Sequence, residues 1–317
     1  MKLVIATEEG EQAFDELLGT IPDLNIVRVA TPDDAIAVIA DADVYYGRPS
    51  EALFAAAKHL RLIQAQSAGV DFLMSMPALA ASDIPLANTR GAHAPAIAEH
   101  AFALLLSLTR ALPISGEWQR QRYWARSEGY RLPREIMGST IGIVGYGAIG
   151  RAIAQRAVGF GMKPLAVDVY PMANDPFVGD VWPVSRLHDM MAVSDVVAVA
   201  APYTKETRHM LDAAAFAAMK PGGYVIVVSR GGIVDEPALA DALKSGHIAG
   251  AGIDVAEQEP LPDDSPFWDI PNVVLTPHLA GSSVQKERRC TEILRDNILH
   301  LQRNEPLVNL VDKQAGY

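Results

Sequence analysis

The chain is expected to fold as an α/β protein with two doubly wound parallel-sheet domains. Three observations lead there. Its 317 residues exceed the usual size of a single core. Half of the residues are hydrophobic and 21% are charged, the balance of a chain with a large buried interior rather than a disordered one. Short β-rich runs alternate with alanine-rich amphipathic stretches in two successive series, and such alternation builds parallel sheets covered by helices on both faces.

In the first series, Leu3 to Ala6, Asn25 to Val29, Val44 to Tyr46 and Leu62 to Gln66 read as strands. Glu11 to Leu18, Pro32 to Ile39 and Glu51 to Lys58 read as the helices between them, with Thr31 as cap and Pro32 in the first helical position. Ala96 to Ala111 is a long apolar helix, stopped near Pro113. The stretch from Ser115 to Arg134 is polar and carries Trp118, Tyr123 and Trp124. A second series then opens, with six strands at Thr140 to Val144, Leu165 to Val169, Val196 to Ala201, Tyr224 to Ser229, Gly250 to Val255 and Val273 to Thr276. A last helix, Gln285 to Gln302, follows the completed sheet and is long enough to return to the first domain.

The 27 basic and 38 acidic side chains give a net charge of −11, which repels phosphate backbones and argues against nucleic-acid binding. The single cysteine, Cys290, excludes an internal disulfide, fits a reducing compartment and reads as an inert core residue. No secretion signal is expected, because Glu8, Glu9 and Glu11 interrupt the apolar run from Met1 to Ala6. The longest apolar stretch, Ala101 to Leu108, is far short of the roughly 20 residues that span a bilayer. These features point to a cytoplasmic protein without membrane contact. No His or Cys cluster has metal-ligand spacing, and no G-x-S-x-G elbow suggests a hydrolase.

Ile141 to Gly150 reads IGIVGYGAIG. Gly145, Gly147 and Gly150 form G-x-G-x-x-G directly after a strand and before a helix. The first glycine permits the tight turn, the second admits a pyrophosphate, and the third lets helix and strand pack closely. Asp168 closes the next strand, 168 − 150 = 18 residues later, where a carboxylate accepts the hydroxyls of an adenosine ribose and repels a 2′-phosphate. Val169, Tyr170 and Pro171 offer no arginine for such a phosphate, so NAD is favoured over NADP. This segment is a dinucleotide site.

Three polar residues stand at the ends of later strands, where open parallel sheets bind ligands. They are Arg230 in VIVVSRGGIVDE, Glu259 in AGIDVAEQEPLP and His278 in VVLTPHLAGSS. An arginine fork clamps a carboxylate and leans on the adjacent carbonyl oxygen. A histidine takes the proton of a secondary alcohol as hydride leaves, and returns it in reduction. A glutamate bonded to that histidine orients the ring and favours its protonated form. Together these roles describe the interconversion of a 2-hydroxy acid and a 2-keto acid.

These segments, from about Ser67 to Ser283, resemble the D-isomer-specific 2-hydroxyacid dehydrogenase family in order and spacing. The resemblance implies that Arg230, Glu259 and His278 do the chemistry. It places cofactor contacts on the turn (Gly145, Tyr146, Gly147, Ala148, Ile149, Gly150), on Asp168, Pro202, Thr207, Val228, Ser229, Arg230 and Asp254, and on His278 to Gly281. It implies a Rossmann NAD-binding domain, residues 100–284, inserted into a flavodoxin-like substrate domain of residues 1–99 and 285–317, with a cleft between them and a homodimer built through the NAD-binding domain. The segment Gln64 to Leu73 matches a loop whose amides at Ala68, Gly69 and Val70 hold the substrate carboxylate. NTRGAHAPAIAEHAFALLL resembles the family's crossover helix. The chain departs mildly from the pattern at Val227, Val228 and Ser229, and Glu259 in place of glutamine argues against the formate dehydrogenase branch. No appended regulatory domain is expected, as the chain ends at Tyr317.

Two alternatives share this resemblance: a phosphite-type dehydrogenase with the same triad, and an NAD-sensing, corepressor-like scaffold. The intact triad argues against the scaffold. Asp254 is read as supporting the nicotinamide side or orienting the glutamate loop. Glu99 and His100 are read as helix packing or an interdomain hydrogen bond, and the stretch from Trp118 to Arg126 as a dimer contact. Arg48, after a strand in the first domain, stands either as a reader of the substrate's distal group or as a solvated loop arginine.

Overall fold

The computed structural model describes residues 1–7 and 11–314, so Glu8, Glu9 and Tyr317 lie outside the described residues. The chain forms two compact units, Met1–His93 with Ser282–Tyr317, and Ala94–Gly281. The expected break after Glu99 falls inside a helix, Ala94–Thr109, that buries Ala94, Ile97 and Ala98 in its first turns.

The first unit holds β1 (Lys2–Ala6), β2 (Asn25–Val29), β3 (Val44–Tyr46), β4 (Leu62–Gln64) and β5 (Leu86–Ala87), all parallel and ordered β2-β1-β3-β4-β5. Leu3 pairs in register with Ile26 on one side and Val44 on the other. Leu3, Val4 and Ile5 are all fully buried, because a parallel sheet covered on both faces buries successive residues alike. Helices α1 (Glu11–Leu18), α2 (Pro32–Ala35), α3 (Glu51–Ala56) and α4 (Pro77–Ala80) connect the strands. Thr31 forms a capping box with Asp34, as its position suggested. The helix expected over Pro32 to Ile39 nevertheless ends at Ala35. Beyond it the amides of Ile36 and Val38 bond three residues back, to Asp33 and Ala35, a tighter winding than an α-helix. Sequence reading missed β5, whose two residues carry no period.

The C-terminal helix, Val284–Arg303, belongs to this first unit. Its Leu294 and Ile298 pack with Leu3, Ile5 and Phe14. Asn297, fully buried, donates to Gln64 Oε1 at 2.7 Å and exchanges hydrogen bonds with the Val308 backbone.

The second unit opens with α5 (Ala94–Thr109), α6 (Leu112–Arg120) and α7 (Arg126–Gly129). The stop expected at Pro113 is decided earlier: Ala111 turns left-handed at φ +56°, and Pro113 fills the first turn of α6 instead. Then follow β6 (Thr140–Val144), α8 (Ala148–Gly159), β7 (Lys163–Asp168), β8 (Val181–Pro183), α9 (Leu187–Val193), β9 (Val196–Val199) and α10 (Ala213–Ala218). The series closes with β10 (Gly223–Val227), α11 (Glu236–Lys244), β11 (Ile248–Ile253) and β12 (Val273–Leu275). The parallel sheet has seven strands, ordered β12-β11-β10-β9-β6-β7-β8, not the six expected. The missed one, β8, is a three-residue edge strand ending in proline, too short to show a pattern. Several other strands stop a residue or two early, which leaves Ser229 and Thr276 in the loops beyond.

Alternate strand residues enter opposite cores. Val144, Val197 and Val225 face one side, and Ile143, Ala198 and Ile226 the other. The winding reverses between β6 and β9, so the carboxyl ends of these strands frame the crevice where such sheets take ligands. No single helix among the described residues is long and apolar enough to cross a membrane.

The buried amide pair offers a test of the C-terminal helix. Asn297→Ala leaves the carbonyl of the Gln64 side chain buried without its donor, an expected loss of about 2 kcal/mol. Urea denaturation checks this: the midpoint should fall with an unchanged slope, and a wild-type midpoint contradicts the role.

Candidate active site

The glycine turn follows β6 and opens α8. Gly145 adopts φ +90°, and a Cβ there would meet the backbone of Ala201 at 2.5 Å, so only glycine lets the turn lie against the neighbouring loop. A Cβ on Gly150 would strike the Gly145 carbonyl at 2.2 Å. Gly147 is exposed and has nothing within 4 Å of its Cβ position, and Ala148 beside it is also exposed. A side chain at Gly147 would fill that open space at the start of α8, while glycine leaves a cradle beside the helix amides. This arrangement fits the pyrophosphate of a dinucleotide.

Asp168 ends β7 with both carboxylate oxygens engaged, accepting the Tyr146 amide at 2.6 Å and the Tyr170 amide at 2.9 Å. The carboxylate therefore ties the glycine turn to the neighbouring strand. Of the expected cofactor residues, Tyr146 presents no side chain to the turn. Its ring is buried and its hydroxyl donates to Asp175 at 2.6 Å. Burial raises the Tyr146 hydroxyl well above its ordinary value, and the bond to Asp175 adds to the shift. Asp175, which also pairs with Arg151, escaped sequence reading because nothing local marks it.

Pro202 and Thr207 belong to one self-braced turn after β9. The Thr207 hydroxyl donates to the Pro202 carbonyl at 2.8 Å and accepts the Thr204 amide at 2.7 Å. Ile149 and Val228 pack into one core of the unit. The Ser229 hydroxyl is buried with no hydrogen-bond partner among the described residues. Arg230 follows Ser229 and donates to its carbonyl at 2.8 Å. Gly231 brings this loop against the next one, since a Cβ there would lie 2.0 Å from the Ala256 backbone. That contact puts Arg230 beside the segment carrying Glu259.

Glu259 accepts a hydrogen bond from His278 Nδ1 at 2.7 Å, and its other oxygen accepts the Ala256 amide at 3.1 Å. Both side chains of the pair are about half exposed, 47% for His278 and 40% for Glu259, so the ring is reachable from solvent. The bond uses Nδ1 and leaves Nε2 to face a ligand. His278 sits at φ +56°, a left-handed conformation that costs a non-glycine residue about 1 kcal/mol. The Asp254 backbone carbonyl holds it there by accepting the His278 amide at 2.8 Å.

Asp254 was expected among the cofactor contacts, and the structure occupies its carboxylate with other work. Only 1% exposed, it accepts the Thr276 hydroxyl at 2.6 Å and the amides of Leu279 and Ala280 at 2.8 and 2.9 Å. It thereby shapes the loop from Thr276 to Gly281 that presents His278. His100 joins this network, 2.8 Å from the Thr276 hydroxyl. Glu99 pairs with Arg156 of α8 at 2.8 Å. Both bonds lie within the second unit rather than between domains, because α5 packs on that unit's sheet.

In the first unit, the Ala68 carbonyl is held by Asn88 at 2.9 Å and the Gly69 carbonyl by the Ser67 hydroxyl at 2.7 Å. With their carbonyls turned to the protein, the amides of Ala68, Gly69 and Val70 donate to no acceptor among the described residues. Arg48 is exposed on the wall of an open cavity of about 430 Å³, at the carboxyl ends of β1 to β4, with Thr7, Thr31 and Gln66. Cys290 is buried, its sulfur 3.9 Å from His93 Nε2.

Known proteins match the chain over most of its length. Residues 102–280 match the model of the D-isomer specific 2-hydroxyacid dehydrogenase NAD-binding domain. The chain is 35% identical over 294 residues to a glyoxylate reductase of Korarchaeum cryptofilum, covering 92% of this chain and 86% of that one. It is 34% identical over 281 residues to a D-3-phosphoglycerate dehydrogenase of Mycobacterium bovis, covering 87% of this chain and 48% of that one, about half its length. Among solved structures, a D-isomer specific 2-hydroxyacid dehydrogenase from Xanthobacter autotrophicus Py2, in complex with NADPH and MES, superposes with a TM-score of 0.82. It is 30% identical and is matched over 100% of this chain and 99% of that one. The chain belongs to the D-isomer specific 2-hydroxyacid dehydrogenase family.

Proposed function

We propose that the protein transfers a hydride between NAD(H) and the 2-carbon of a D-2-hydroxy acid or the corresponding 2-keto acid. The observation that carries this reading is the 2.7 Å pair of Glu259 and His278, set on a loop neighbouring Arg230 at the carboxyl ends of β10 to β12. Bound at the glycine turn, NAD supplies the hydride acceptor or donor. Arg230 binds the substrate carboxylate and polarises the adjacent carbonyl. His278 Nε2 takes the hydroxyl proton in oxidation and returns it in reduction, while Glu259 orients the ring. The amides of Ala68, Gly69 and Val70 supply further donors for a carboxylate.

NAD rather than NADP is supported by Asp168 at the end of β7, because a carboxylate after that strand repels a 2′-phosphate. The neighbour from Xanthobacter carries NADPH, so this choice is a property of individual members rather than of the fold. The reading extends to a homodimer through the second unit, supported by Trp124, Tyr130 and Met137, which are 91%, 80% and 73% exposed there. It also extends to a cytoplasmic location, supported by one buried cysteine that can form no internal disulfide.

Three measurements test the reading. His278→Ala should leave NADH affinity near normal and lower turnover at least about a hundredfold, assayed with glyoxylate, hydroxypyruvate, phenylpyruvate, 2-ketoisocaproate and phosphohydroxypyruvate. Wild-type turnover in that variant sinks the assignment. No turnover of any acid by the unmodified protein, together with NADH-dependent assembly, favours a scaffold instead. Gly147→Val should keep the melting temperature, since nothing lies within 4 Å of its Cβ, and weaken NADH binding at least about tenfold by fluorescence titration. Comparison of NADH with NADPH on the same acid should favour NADH by about tenfold or more, and Asp168→Ala should narrow that ratio.

A further inference from the structure

We propose that Glu236 is a positioning residue for the acid–base pair: it holds the loop that carries Glu259 and adds a negative charge beside it. The inference rests on the roles given above to Glu259 and His278. Glu236 is the first residue of α11, yet it does not cap the helix, because Asp235 does so through the Ala238 amide at 3.0 Å. Its carboxylate turns to the loop after β11 and accepts the Glu257 amide at 2.6 Å.

That loop has no regular structure between Val255 and Glu259. Two carboxylates hold its backbone: Glu259 itself accepts the Ala256 amide, and Glu236 accepts the next one. The Glu257 side chain is held from the other side. His209 Nε2 lies 3.1 Å from both of its oxygens, and Arg208 lies 3.6 Å away. The turn after β9, the start of α11 and the glutamate loop thus meet at Glu257, two residues before Glu259. Removing Glu236 frees the amide that sets the direction in which Glu259 leaves the loop.

The charged groups facing Glu236 are Glu257 and Glu259 from the loop and His209 from the turn after β9, with Arg208 reaching Glu257. Burial holds the half-buried Glu236 carboxyl above the ordinary glutamate range. The Glu257 amide and His209 oppose that shift, and the charges of Glu257 and Glu259 add to it. Glu236 and Glu257 therefore share one patch with Glu259, the carboxylate of the acid–base pair. Negative charge in this patch favours a cation beside Glu259, so loss of the Glu236 charge is expected to move proton transfer to lower pH.

The experiment compares Glu236→Gln and Glu236→Ala with wild type, following reduction of glyoxylate by NADH across pH. Reduction needs a protonated histidine, so kcat falls as pH rises. Glu236→Gln keeps an oxygen for the Glu257 amide but loses the charge. Its kcat on the acidic plateau and its KM for NADH should stay near wild type, while the midpoint of the alkaline fall moves down by about half a pH unit or more. Glu236→Ala loses both, and its plateau kcat should also drop about tenfold with KM for NADH unchanged. Wild-type midpoints in both variants overturn the inference, as does an equal loss of kcat in both with no change of midpoint. If Glu236→Ala fails to fold, the midpoint of Glu236→Gln decides alone. His278→Ala, run in parallel, separates the failures. Its retained turnover removes the underlying reading, whereas its inactivity beside unshifted Glu236 variants removes only the role of Glu236.

Discussion

Burial of parallel strands on both faces is the constraint on which the rest depends. Strands such as β6 and β9 are apolar almost throughout because helices cover both sides of the sheet, and no polar group can be placed within it without a partner. Chemistry is therefore confined to the loops at the carboxyl ends of the strands. The glycine turn after β6, Asp168 at the end of β7, Arg230 after β10, Glu259 after β11 and His278 after β12 all occupy that one edge. The reversal of winding between β6 and β9 opens the crevice there.

Loops at such an edge have no ladder to hold them, so buried or half-buried carboxylates take over that work. Asp254 gathers two amides and a hydroxyl around the loop of His278, and its backbone carbonyl secures that residue's left-handed conformation. Asp168 joins the glycine turn to β7, and Glu236 joins the glutamate loop to α11. A carboxylate that accepts several backbone amides is a short-range, directional brace, strong because the acceptor is ionised. Acidic residues that add to the net charge of −11 thus serve inside the protein as fasteners. In the proposed reading, the donors to anions are the amides at the start of α8, those of Ala68 to Val70 and the guanidinium of Arg230, which act at distances where net charge matters little.

Much of this was legible from residue order. The glycine spacing, Asp168 and the segments around Arg230, Glu259 and His278 carry their own context, since each follows a β-rich run at a recognisable distance. The alternating pattern also placed most strands within a residue or two. Short elements escaped: β5 and β8 have two and three residues, and the four-residue α2 stops where its hydrogen bonding tightens. Pro113 was legible as a break but not as the start of a new helix, because the left-handed turn that ends α5 lies at an alanine, Ala111.

The sequence by itself determined the class of fold, the dinucleotide turn and the identity of the three polar residues at the strand ends. These follow from local chemistry, in which glycine conformational freedom, side-chain periodicity and residue type act over a few positions. Tertiary structure alone decided that Tyr146 is buried against Asp175, that Asp254 braces the histidine loop with Thr276 and His100, and that Glu236 reaches Glu257. It likewise decided that Asn297 closes on Gln64, 297 − 64 = 233 residues away in the chain. Such pairings join groups brought together only when separate elements pack, and a buried polar atom takes whatever partner the fold sets beside it.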